Sequence, residues 1–91
     1  GDLLPAEASL ECYPNPFNQQ SSISFNLPEA GRVSLSVYDV QGREIAQLMD
    51  GFYPEGYHKA DWNAAGIAGG VYFVVLNFNG GQISEKLLLL K

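Results

Sequence analysis

Three observations predict an all-β chain folded as an immunoglobulin-like antiparallel β-sandwich of about seven strands. Apolar residues recur with period two, turn residues punctuate them at spacings of roughly 8 to 12 positions, and no stretch requires the 3.6-residue period of a helix. The 91 residues make one domain, and surface scaling implies that about 64% of the unfolded chain's surface is buried on folding, enough for one modest core without staples.

The elements follow in order. Residues 1–7, with Pro5 and few apolar anchors, read as a linker or a cloning-derived end, and the ordered domain is expected over residues 8–91. A short strand is expected over residues 9–13. Pro14 and Pro16 each fix φ near about −65° and remove a backbone donor, so the segment around Asn15 is expected to stay extended and outside any ladder, with Phe17 as its anchor. Ile23, Phe25 and Leu27 alternate with Ser22, Ser24 and Asn26, the pattern of a strand with one wet face, and Pro28 ends it. Val33, Leu35 and Val37 alternate with Ser34 and Ser36. Gln41-Gly42 then offers a tight turn into a run from Glu44 to Met49, a hairpin.

Residues 50–56 hold two glycines and Pro54, turn chemistry that predicts a loop, with Phe52 and Tyr53 placed to cover part of the core. In the next strand His58, Ala60 and Trp62 share one face, and Lys59 and Asp61 the other. Residues 64–70 are a small-residue bend. Residues 71–79 form a nearly continuous apolar strand, expected to be central and either covered on both sides or rimmed by aromatics, with Val71, Phe73 and Val75 on one face and Tyr72, Val74 and Leu76 on the other. Gly80-Gly81 is expected to turn the chain into a last strand over residues 83–90. This final strand, lying toward a sheet edge, carries Lys86 and Lys91 where charge would blunt unwanted pairing.

The same residues weigh against most chemistry. Ten acidic against five basic residues exclude a phosphate-binding surface, and with it nucleic acid. Cys12 is the only cysteine, so no intrachain disulfide forms, and His58 is the only histidine, which excludes the common zinc sites. No apolar run approaches the ~18 residues of a transmembrane helix, and no signal peptide opens the chain, so an exported domain would take its export signal from elsewhere. The serines read as strand-face residues, and Asp39, Glu44, Asp50, Glu55 and Asp61 as solvated charge. No catalytic, cofactor or metal residue is assigned. Phe52, Tyr53 and Tyr57 are the one set that suggests sugar stacking.

Five blocks carry a resemblance. Tyr13-Pro14-Asn15-Pro16-Phe17-Asn18, Val37-Tyr38-Asp39-Val40-Gln41-Gly42-Arg43-Glu44, Gly56-Tyr57-His58 with Trp62-Asn63, Gly66-Ile67-Ala68-Gly69-Gly70-Val71-Tyr72, and Lys86-Leu87-Leu88-Leu89-Leu90-Lys91 are similar, in order and spacing, to the type A C-terminal sorting domain of the type IX (Por) secretion system. The chain departs from many relatives after Asn18, where Gln19-Gln20-Ser21 stands in place of Pro-Ser or Pro-Thr. The resemblance implies a non-enzymatic label on a larger cargo protein of Bacteroidota. Such a label crosses the periplasm, is read by the outer-membrane translocon, and is removed by a sortase-like cysteine protease, leaving the cargo at the cell surface or outside the cell. It also implies that translocon recognition falls on Lys86, Leu87, Leu88, Leu89, Leu90 and Lys91, with Gly70 and Tyr72 as a second element. Edge-strand addition is the expected route, a partner strand pairing with the last strand while the leucines fill pockets. The alternative class is a structural or carbohydrate-binding immunoglobulin-like module appended to a secreted enzyme, the block order also resembling the immunoglobulin-like domain of the flagellar hook-capping protein.

Overall fold

The computed structural model describes residues 8–91, so the linker expected over residues 1–7 lies outside the described residues. Period-two alternation becomes seven strands: β1 (Ser9–Tyr13), β2 (Gln20–Leu27), β3 (Gly31–Tyr38), β4 (Glu44–Tyr53), β5 (Gly56–Asn63), β6 (Gly70–Phe78) and β7 (Gly81–Leu89). They form two packed antiparallel sheets, one ordered β1-β2-β5 and the other β4-β3-β6-β7. The inward residues read from the alternation are the ones that are buried: Ile23, Phe25 and Leu27 from β2, Val33, Leu35 and Val37 from β3, and Trp62 from β5. Burial of each large apolar side chain contributes roughly 1.5–3 kcal/mol before conformational entropy is counted.

Two ambiguities of the sequence resolve. In β6 the inward face is Tyr72, Val74 and Leu76, and β7 points Leu87 and Leu89 into the same core. The strand is central, between β3 and β7, but it is not covered on both sides. Val71, Phe73 and Val75 form an outer face that is only half-buried, shielded by neighbouring side chains rather than by a second layer.

Three expectations need correction. First, residues 50–53 are strand, not loop: β4 runs on to Tyr53, with Ser34 opposite Asp50 and Gly31 opposite Tyr53. An edge strand tolerates Gly51, and Pro54 alone is enough to stop it. Tyr53 packs partly against the core, whereas Phe52 is exposed. Second, the last hairpin turns at Asn79-Gly80, because Gly81 already pairs with Phe78. Both turn residues have positive φ, 39° and 81°, as a two-residue type I′ turn demands, and Asn followed by Gly is the pair that adopts it most readily. Third, the segment around Asn15 is bent rather than extended and its Tyr13-Pro14 and Asn15-Pro16 bonds are cis; it stays outside the strands, as expected, but Phe17 forms an isolated parallel bridge with Leu89.

The outermost strands of the larger sheet are each kept from free pairing. Along β4 the register slips twice, leaving Leu48 and Ile45 without partners on β3, and two bulges in ten residues distort that edge as a template. At the end of β7 the obstruction is the segment before β2.

Candidate functional site

Strand directions bring the end of β1, the start of β2, the end of β5, the start of β6 and the end of β7 to one pole of the sandwich. The first, fourth and fifth sequence blocks and the Trp62-Asn63 part of the third meet there, while Gly56-Tyr57-His58 lies at the opposite end of β5. The Phe17 ring lies 5.5 Å from Trp62, and Trp62 lies 5.6 Å edge-on from Tyr72. Phe17 and Trp62 are almost fully buried, which ties the proline segment to the core of both sheets.

Residues 14–17 act as a strap along the outer edge of β7. Three outward backbone groups of that strand, and the Leu90 amide just past its end, find partners in it. The Asn15 side-chain amide donates to the Lys86 carbonyl at 2.8 Å and its oxygen accepts from the Leu88 amide at 3.1 Å. The Phe17 amide donates to the Leu88 carbonyl at 2.9 Å, and the Phe17 carbonyl accepts from the Leu90 amide at 2.8 Å. Asn15 thus uses a side chain as a neighbouring strand would use a peptide group. The strap is pinned from behind by Ser21, a buried residue whose hydroxyl donates to the Pro14 carbonyl at 2.9 Å. Ser21 had read as an ordinary strand-face serine; it faces inward and holds the strap. The prolines remove donors, as the sequence implied, yet Asn15 and Phe17 supply what the edge needs.

The residues expected to carry recognition divide into two groups. Leu87 and Leu89 are core. Leu88 and Leu90 point to solvent, 36% and 48% exposed, and Lys86 lies on the same outward row. Lys91 is turned back, its ammonium donating to the Ala64 carbonyl at 3.2 Å. Gly69 permits that approach, since a Cβ there would stand 3.1 Å from the Lys91 Cβ and 3.3 Å from the Leu89 carbonyl oxygen. Gly70, at φ 144°, starts β6 in a conformation that side chains resist. Tyr72 is buried, and its hydroxyl donates to the Ala68 carbonyl. That bond reaches four residues upstream, like the tyrosine corner of immunoglobulin-type sandwiches. Gly70 and Tyr72 therefore help to build the pole.

Cross-strand register shows what the sequence did not assign. Leu88 stands opposite Val71, and Lys86 opposite Phe73. On the next strand Phe73 faces Tyr38, which in turn faces Glu44. The row Glu44, Tyr38, Phe73, Lys86 runs across the outer face, an acidic end, two aromatic rings and a basic end. Toward the far hairpin the face turns polar, in the row Asp50, Ser34, Asn77, Gln82. Alternating apolar residues on two adjacent strands were the available signal, once the inward face was known.

Other candidates fall into structural roles. Asp39, read as solvated charge, accepts from the Gln41 and Arg43 amides at 2.9 and 3.0 Å and pairs with the Arg43 Nε at 2.9 Å. Those bonds, the Arg43 amide first, hold its carboxyl below the usual carboxylate range. His58 packs between Phe25 and Tyr53 at 5.3 and 5.4 Å, and its Nε2 meets the Pro54 carbonyl at 2.7 Å. Cys12 is half-buried, and burial, then the Glu85 charge, pushes its thiol up to about 11. Phe52 and Tyr57 are well exposed and belong to different sheets. Among the described residues no three His, Cys, Asp or Glu side chains are grouped to hold a metal ion, and no helix is long and apolar enough to cross a membrane.

Comparison with known proteins agrees with the block pattern. The family model described as the secretion system C-terminal sorting domain matches residues 11–90. Among solved structures, the chain is similar to the crystal structure of dimeric latent PorU from Porphyromonas gingivalis, with a TM-score of 0.65 at 21% identity. The match covers 91% of this chain and 9% of that one, a likeness of fold over a small part of a much longer protein. No curated protein matches the chain.

Proposed function

The chain belongs to the C-terminal sorting domain family of the type IX secretion system, and from that premise we propose that it is a non-catalytic address label for a larger cargo protein. The cargo of such a label is destined for the cell surface or the extracellular space. In our reading the label crosses the periplasm folded, is bound by the outer-membrane translocon of a Bacteroidota-type cell, and is then cut away by a sortase-like cysteine protease at or before residues 1–7. The domain itself contributes binding and no chemistry. The observation that carries this reading is the family match over residues 11–90. It is supported by the convergence of three family blocks, and the Trp62-Asn63 part of another, on one pole, where a label would need a defined shape.

A reporter carrying an ordinary export signal and fused ahead of residues 1–91, expressed in a bacterium with a type IX system, tests it. The reporter should appear in the medium or on the surface, shortened by the mass of this domain. A reporter that stays in the periplasm at full length would show that the chain is not a sorting label in that cell. One that emerges uncut would separate transport from cleavage.

A further inference from the structure

A partner can read β7 in two ways, along its backbone edge or on its outward side chains. The edge is closed. The Lys86 and Leu88 carbonyls and the Leu88 and Leu90 amides are all engaged by Asn15 and Phe17. The strap offers no substitute ladder, because Pro14 and Pro16 have no N–H, the Pro14 carbonyl accepts from Ser21, and Phe17 spends both backbone groups on β7. Nor can it swing aside alone, since the Phe17 ring is only 2% exposed and rests on Trp62. Strand addition along residues 86–90 would require the pole of the core to open.

The outward face is open and its polarity has a direction. Leu88 and Leu90 are exposed, with Val71 and Phe73 half-buried beside them. Lys86 ends the row whose other end is Glu44, on a chain of net charge −5. We infer that the partner binds this domain face-on, seating a protein surface on Leu88, Leu90, Val71 and Phe73, with a carboxylate of the partner set against Lys86 while the strap stays closed. This rests on the sorting reading. The charge order across the row excludes the reversed orientation, which would bring that carboxylate against Glu44. The leucines that fill the partner's surface are the outward two, not all four.

The test uses the full chain fused to the secreted reporter, with melting temperatures measured on each purified variant. K86E and the double change Leu88→Ser with Leu90→Ser should each lower export at least tenfold, whereas K86R should stay within twofold of the parent. Asn15→Ala frees the Lys86 carbonyl and the Leu88 amide without touching the face, and should also leave export within twofold. If Asn15→Ala raises export while the leucine double change has no effect, recognition runs along the edge and the inference is overturned. Should the double change lose its cooperative melt, K86E decides the matter, because its side chain is exposed; export unchanged in K86E would equally overturn the inference. A parent domain that exports nothing is a different failure, removing the sorting reading and this inference with it.

Discussion

At the scale of single residues, Asn15 shows how a side chain can complete a sheet. Its two bonds to β7 reach across 71 and 73 positions of sequence, so nothing local announces them. They are exposed and water can replace them, so Asn15→Ala should cost only about 1 kcal/mol in urea unfolding. The sharper readout is hydrogen exchange: the Leu88 amide should exchange faster in the variant, while the Leu90 amide, held by the Phe17 carbonyl, should not. Cys12 offers a second prediction. With its thiol raised from about 9 to about 11, alkylation at pH 8 should run on the order of a hundredfold slower than in urea-unfolded chain. The fold favours the protonated thiol, so this group's contribution to stability is fully present below about pH 9 and is lost as pH rises toward about 11. Asp39 works in the opposite sense. Its carboxyl is held below its ordinary value, so its contribution is present above that value and fades as the pH falls through the lowered one.

At the scale of elements, the strands were legible because period two survives any context, and the inward faces of β2, β3 and β5 could be named from Ile23, Val33 or Trp62 alone. What composition obscured was where strands stop. Gly51 and Pro54 both count toward a loop, yet an edge strand accepts the first and is ended only by the second. The last turn moved by one residue because Asn79 accepts positive φ nearly as well as glycine does. Gly80→Ala should therefore cost roughly 1–2 kcal/mol through its backbone alone, seen as a lower urea midpoint with an unchanged slope. The strap's hold on β7 was hidden for a related reason: absent proline donors were visible in the sequence, but an asparagine imitating a peptide becomes visible only when its partner strand is in place. Phe17→Ala should cost about 3–5 kcal/mol, as for other buried aromatic truncations, several times the effect of Asn15→Ala. Comparable losses from the two changes would mean that the ring does not anchor the strap.

At the scale of the whole molecule, the strand proposed for recognition is also one that the fold depends on. Of the candidate recognition residues, the sequence could mark the segment but could not divide it, because four successive leucines carry no period until a register assigns them. Leu87 and Leu89 belong to the core and the strap closes on their strand. Deleting residues 86–91 should therefore abolish the cooperative thermal transition, since a domain of this size has only about 5–15 kcal/mol in hand and each buried leucine lost costs about 2–5. A truncated domain that still melts cooperatively would disprove that dependence. Loss of export on such a deletion would then say little about recognition, which is why exposed positions make the better probes. The strap has a consequence in time as well. A contact between residues 15 and 88 cannot form during synthesis until almost the entire domain has emerged, and folds dominated by such distant pairings close slowly. The first strands wait, unsealed, for the last one. A ribosome that stalls, or a message cut short, yields a chain that never acquires the finished pole.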